Sequence, residues 1–335
     1  MPQLESRVKI LVLAARDVHE LLPYRECAHV MREALAELAR GRIQQPLRTI
    51  VRPAGTVGFM ALMPAYAPPA EAGGAGYGLK AICISPGNPA IGKDAHQGGV
   101  LLFAADTGEL LALVNASAVT EVRTAAVSAV ATDLLARPGA ADLAVIGTGV
   151  QARAHARAIA ATRPLNGIRI AGRHPARTRD AADELAAELG LPVSAHEVAD
   201  AVAGADIVVT ATTSSRPVLQ RAWLSAGTHV NAVGACVPGD REIDTATMAE
   251  AALFADSRES VRNEAGDYLL AEREAYHLPI RAELGELLIG AATGRADEQE
   301  ITLFESLGLA AEDLAAASYL YEKANRLGAG TAADF

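Results

Sequence analysis

Cysteine is scarce. Cys27, Cys83 and Cys236 are the three thiols of the 335-residue chain. They are too few and too scattered for a disulfide framework or a zinc site, so no metal is expected and a reducing compartment is the simple inference. Basic charge is also short: the formal net charge is −10, which speaks against a nucleic-acid partner, since that would need a basic surface. No apolar run reaches the length of a membrane span. The stretch "MPQLESRVKILVLAARDVHELL" starts polar, and Arg16 and Asp17 break its apolar run, so it does not read as a signal peptide. A cytoplasmic chain without a membrane segment is expected. Internal repeats and coiled-coil heptads are lacking too. What remains is half apolar and about a fifth charged, a globular composition, and long enough for two domains.

The pattern changes along the chain. Residues 24–40 show helical spacing and stop at Gly41. "LRTIVRPAG", "GFMALMPAY" and "GLKAICIS" are short, β-rich and broken by Gly and Pro. "GGVLLFAADTGELLALVN" reads as a hairpin around Asp106-Thr107-Gly108. A mixed, largely antiparallel sheet is expected here, with 67–78, "APPAEAGGAGYG", as a flexible loop. A helix is expected from Thr120, read as its N-cap, to Arg137, with Pro138-Gly139 as the stop. After it, apolar strand-like runs at 142–147, 168–172, 206–212, 228–233 and 252–256 alternate with helical segments. That alternation implies βαβ units and a parallel sheet. "ITLFES" reads as one more strand, and 310–327 as a long amphipathic helix closed by Gly328.

Within the alternating region, "LAVIGTGVQARAHARAIA" reads strand, glycine turn, helix. Gly147, Thr148, Gly149, Val150 and Gln151 form a phosphate-binding loop in this context. Gly147 would allow the tight turn and Gly149 the approach of a pyrophosphate. Ala152 fills the third glycine position, where only a small side chain is needed for helix-on-strand packing. The bland alternative is an ordinary tight βα turn. The next strand ends in "AGRHPAR", with no acid to bond a ribose 2′-hydroxyl. Arg173, His174 and Arg177 stand there instead and suit a 2′-phosphate, which favours NADPH, with NADH possible. A solvated basic turn would read the same way.

Lysine is almost absent: Lys9, Lys80, Lys93 and Lys323 are the whole set. Lys80 stands in an otherwise apolar strand, and a buried amine is costly unless it faces an anion or a cavity. Arg48 in "QPLRT" and Arg123 in "TEVRTAAVSA" are similarly placed, Arg123 in the first turn of its expected helix, where the dipole favours an anion. Facing one cleft, the three would make a carboxylate site. Separate structural ion pairs are the alternative.

The order and spacing of "QPLRT", "MPAY", Lys80, "HQGGVLLF", "VTEVRTAAVSA", "GTGVQA", "AGADIVVTAT", "HVNAVGA", "REID", "AGDYLL", "AELGEL" and "ESLGLAAED" resemble the ornithine cyclodeaminase/mu-crystallin family along nearly the whole chain. The resemblance implies an α/β protein: a Rossmann-type doubly wound parallel sheet over 123–304, inserted in a discontinuous α+β substrate-binding and dimerisation domain, 1–122 plus 305–335. It implies a homodimer, a small imino or amino acid substrate bound by Arg48, Lys80 and Arg123, and Lys80 as the catalytic residue. Arg123, Thr212, Thr213, Val233 and Gly308 are expected beside the cofactor together with the glycine loop.

The family holds several chemistries. The cyclodeaminases resemble one another in carrying an aspartate where this chain has Cys236. A neutral thiol neither pairs with a δ-ammonium nor serves as a carboxylate base, though Cys236 also reads as a small packing residue. The reading preferred is NADPH-dependent reduction of a cyclic ketimine acid, 1-pyrroline-2-carboxylate or 1-piperideine-2-carboxylate, to proline or pipecolate. An alanine-type amino-acid dehydrogenase, an ornithine cyclodeaminase and a small-ligand binding protein are the alternatives. Asp206, Asp267 and Glu283 read as strand-start, capping or helix-surface residues, and His96 as a structural histidine or a cofactor contact.

Overall fold

The computed structural model describes residues 9–69, 73–275 and 277–335. By internal contacts the chain forms two units, one ending at Arg123 and resuming as Leu309–Phe335, the other Thr124–Gly308. From the sequence, the junctions were placed at 122/123 and 304/305.

The first unit is built on a sheet of seven strands among the described residues. Their order is Thr331–Asp334, Lys9–Leu13, Leu110–Asn115, His96–Ala104, Ala75–Ile84, Phe59–Tyr66 and Thr49–Val51. All neighbours pair antiparallel except Lys9–Leu13 with Leu110–Asn115. The expected hairpin is present, and the helices Tyr24–Ala39 and Ala310–Leu327 fall where helical spacing put them. Gly328 ends the last helix in the left-handed conformation, the usual role of glycine just past a helix. Ala310–Leu327 lies against the central strands. It can approach closely because Gly78 has no side chain; a Cβ there would sit 2.9 Å from Leu314 Cδ1.

Two expectations are corrected here. The end of the stretch read as a loop, 67–78, is strand, since Ala75–Ile84 begins inside it. Its glycines signalled a loop but serve close packing: Gly76 and Gly78 are buried on the face that also carries Lys80 and Ile82. Residues 70–72 of that stretch lie outside the described ones. The helix expected from Thr120 starts earlier, as Ala116–Leu135. The side chain of Asn115 accepts the Ala118 N–H at 2.9 Å, so the capping role falls to Asn115. Thr120 is inside the helix, and Arg123 is two turns in, beyond the reach of the end dipole.

The second unit is a parallel sheet of eight strands among the described residues. The order is Ile280–Glu283, Ala252–Ala255, Thr302–Glu305, His229–Ala232, Ile207–Thr210, Asp142–Ile146, Gly167–Ala171 and Val193–His196. Five of these strands came from the alternating pattern, and "ITLFES" is a sixth. Ile207–Thr210, His229–Ala232, Ala252–Ala255 and Thr302–Glu305 are buried throughout and largely apolar, as strands covered on both faces are; Thr210, His229, Asn231, Thr302 and Glu305 are the polar residues buried in them. The chain order reverses between Asp142–Ile146 and Ile207–Thr210, the switch point where open α/β sheets bind ligands.

Candidate functional site

Lys80 and Arg123 meet in the first unit, and each meets carboxylates. The ammonium of Lys80 is 2.7 Å from Asp313 Oδ2 and donates to Thr120 Oγ1 at 3.4 Å. Arg123 donates from Nε to Asp313 Oδ1 at 3.1 Å and from Nη1 to Glu312 Oε2 at 2.8 Å. No residue of this quartet is more than 4% exposed. The local sequence explains the meeting. Glu312 and Asp313 sit in the first turn of Ala310–Leu327, where the helix dipole favours acids. That turn lies over the strand face presenting Lys80.

Burial alone makes a lone ammonium costly. Here it pulls the Lys80 pKa down to about 8, against the opposing pull of Asp313, with Arg123 and Arg48 adding to the fall. An incoming anion would reverse that fall, so the site favours a further negative charge. Arg48 is half-buried and close enough for its charge to act on Lys80. His96 is in the same field: burial, then Lys80 and Arg123, lower its pKa, which keeps the imidazole neutral near pH 7. Lys80 and Arg123 share a cluster, and they are also structural ion pairs. Glu312 and Asp313 were missed as members; "AED" at a helix start was the available signal.

The glycine loop lies in the second unit. Gly147 has φ +133°, and a Cβ there would meet the Ala211 oxygen at 2.4 Å, so the turn excludes any other residue. Ala152 is 2% exposed and its Cβ would stand 3.2 Å from that added atom, hence a small residue. Gly149 differs. Its φ of −82° suits any residue, and a Cβ there would meet nothing within 4 Å. The fold does not require glycine at this position; open space before the backbone does fit a bound pyrophosphate. Helix Val150–Thr162 starts there with no side-chain cap from Gly149. Arg153 braces the loop, donating to the Thr148 oxygen at 2.6 Å. The residues present thus fit a dinucleotide.

Arg173, His174 and Arg177 are exposed, beyond the strand Gly167–Ala171. Thr212 is half-buried, Thr213 exposed, and Val233 and Gly308 buried. The Cys236 thiol donates to the Val233 oxygen at 3.1 Å. Asp206 accepts from Arg137 and from the N–H groups of Ala141 and Asp142, a structural tie at a strand start. Glu283 is the N-cap of Leu284–Leu288. Asp267 is no helix-surface residue: it is fully buried and accepts the N–H groups of Glu242 and Ile243.

The model of the ornithine cyclodeaminase/mu-crystallin family matches residues 8–327. The chain belongs to that family. It is similar to the ketimine reductase mu-crystallin of Mus musculus, 38% identical over 86% of this chain and 89% of the mouse protein. Among solved structures it is similar to the Delta(1)-pyrroline-2-carboxylate reductase of Thermococcus litoralis in complex with NADH and L-proline. That match has a TM-score of 0.92 and 35% identity over 96% of this chain and 99% of the other. An archaeal alanine dehydrogenase dimer with bound NAD matches with a TM-score of 0.91 and 28% identity over 98% of this chain and 100% of the other. The chain is an NAD(P)H-dependent oxidoreductase acting on C=N and CH–NH bonds. Among the described residues no helix is long and apolar enough to cross a membrane.

Proposed function

We propose that the chain reduces a small cyclic ketimine carboxylate, 1-pyrroline-2-carboxylate or 1-piperideine-2-carboxylate, to proline or pipecolate with NADPH. The observation that carries the reading is the buried Lys80–Arg123 pair. Its lowered Lys80 pKa marks a cation that gains from an arriving carboxylate. Lys80, Arg123 and Arg48 bind that carboxylate and fix the ring, so that binding energy becomes alignment. Water is excluded from their surroundings, which strengthens each charge interaction. NADPH, when bound, supplies the hydride. A Lys80 pKa of about 8 leaves a proton on Nζ near neutrality and able to leave, which suits a group that keeps the imine protonated. Gly147, Thr148, Gly149, Val150, Gln151, Thr212, Thr213, Val233 and Gly308 would hold the dinucleotide, with Arg123 also beside it. Arg173, His174 and Arg177 would hold its 2′-phosphate.

Two results are expected. NADPH binds more tightly than NADH by about 1–3 kcal/mol, since arginines pair strongly with a phosphate. Fluorescence titration with both cofactors measures this, and Arg173→Ala with Arg177→Ala should close the gap; equal affinities in the unaltered protein contradict the assignment. The second result concerns Cys236. Cyclodeamination needs an acid to manage the second amine, and the Cys236 thiol instead bonds a main-chain oxygen. Ornithine with catalytic NADP should therefore release no ammonia, while the cyclic imine consumes NADPH and yields proline. Cys236→Ala should keep most of that activity. Ammonia from ornithine at rates matching imine reduction would overturn the reading.

A homodimer is part of the proposal. Val51, Met60, Tyr77 and Leu113 are large apolar side chains left exposed on one face of the first unit's sheet, and exposed apolar patches mark association surfaces. A second copy is the occupant favoured, as the archaeal alanine dehydrogenase matched above is a dimer. Sedimentation should give two copies per particle and, for Val51→Lys with Met60→Lys, one; a single-copy species for the unaltered chain contradicts this.

A further inference from the structure

Four carboxyl groups are buried in the second unit: Glu242, Asp267, Asp256 and Glu305 are 0%, 0%, 1% and 3% exposed. Three of them grip main chain. Glu242 accepts the N–H groups of Thr212 and Gly234, both at 2.6 Å, just beyond the strands Ile207–Thr210 and His229–Ala232. Asp256 accepts those of Leu307 and Gly308, both at 2.7 Å, just beyond Thr302–Glu305. Asp267 accepts those of Glu242 and Ile243 at 2.7 and 2.8 Å, and so holds the segment that carries Glu242. Main-chain segments that leave the sheet toward the dinucleotide site are thereby tied down by buried acids.

Glu305 is the exception. Among the described residues no N–H group donates to its side chain, and its Oε1 is buried without a hydrogen-bond partner, as is Asp267 Oδ2. The groups facing it are acids from three elements: Asp267 on Gly266–Ala275, Glu242 on Arg241–Ile243, and Asp256 after Ala252–Ala255. Arg241 is the basic group acting on the set, through Asp267. Four such acids cannot all ionise in one apolar interior. An acid gripping N–H groups keeps its charge most readily, because a carboxylate accepts more strongly than a carboxylic acid. The proton therefore goes to the acid without N–H donors. Burial, then Asp267, Glu242 and Asp256, push Glu305 well above the carboxylate range; burial also raises Glu242 and takes Asp267 to about 7, each held back by the N–H groups it accepts.

We propose that Glu305 is a positioning residue of the dinucleotide-binding loops: as a neutral acid it lets Glu242 hold the main chain at Thr212 and Gly234 as a carboxylate. The proposal rests on the reading of these loops as the cofactor site. When Glu305 ionises, repulsion among the acids loosens the grip. In Glu305→Gln the side chain stays neutral at every pH.

The test has two readouts. Hydrogen exchange of the Thr212 and Gly234 amides, corrected for the intrinsic effect of pH, reports on the loops without cofactor. As pH is raised above 7 and Glu305 ionises, their protection should fall by about tenfold or more in the unaltered protein and stay level in Glu305→Gln. Titration with NADPH over the same range should show a matching loss of affinity that Glu305→Gln abolishes. Level protection in the unaltered protein, or the same fall in Glu305→Gln, overturns the proposal. Loops that loosen as stated while NADPH fails to bind even at pH 7 would instead overturn the cofactor reading and leave the role of Glu305 standing.

Discussion

Lys80→Ala is expected to lower kcat/KM for the cyclic imino acid by more than about tenfold, the size of one charge-assisted hydrogen bond lost in a water-poor site. The fold should survive. Asp313 keeps its bond to Arg123 Nε, so no carboxylate is stranded. The pH dependence follows with a definite sign. The protonated amine binds the substrate carboxylate, and its pKa in the free enzyme is about 8. The Lys80 contribution to kcat/KM is therefore full below that pH and lost as pH rises through it. Bound carboxylate raises the pKa, so kcat should fall at higher pH than kcat/KM. Lys80→Arg, which cannot deprotonate in this range, should move the fall in kcat/KM upward. Steady-state profiles with circular dichroism as a folding control check this. Undiminished kcat/KM in Lys80→Ala would place the substrate elsewhere.

Arg123→Ala should act mainly on stability. Glu312 is fully buried and receives Arg123 Nη1 at 2.8 Å; truncation leaves its charge unmatched. Breaking a buried pair from one side costs about 3–5 kcal/mol. Replacing both partners, Arg123→Met with Glu312→Gln, should recover most of that loss, because the stranded charge goes with it. Urea denaturation of the three proteins measures the difference. A single variant as stable as the unaltered chain would show that Glu312 neutralises itself or finds another donor. Of the two cations, then, Lys80 is the cleaner probe of substrate and Arg123 the firmer part of the frame.

Much of this was legible beforehand. Alternation of apolar runs gave the parallel strands because a strand buried on both faces is mostly apolar. The glycine loop was legible because Gly147 serves a turn no other residue can make, and Gly149 stands where the fold itself asks for nothing. Lys80 was visible as a charge where an apolar residue belonged. The hidden parts were those made by tertiary contact. Glu312 and Asp313 look like ordinary helix-start acids until the helix is laid on the sheet. Thr120 looked like a cap, yet Asn115 caps the helix more than one turn earlier. Glu242 and Glu305 lie far apart in sequence, and only the sheet brings them under one field.

The central claim is that the buried cations read a carboxylate next to the reacting C=N bond. The most direct measurement compares 1-pyrroline-2-carboxylate with 1-pyrroline, the same ring without the acid, in NADPH oxidation by the unaltered enzyme and by Lys80→Ala. The account predicts a preference for the acid of well over tenfold in the unaltered enzyme, shrinking sharply in Lys80→Ala because only the acid loses a partner. Equal kcat/KM for the two imines, or a preference that Lys80→Ala leaves intact, would contradict it.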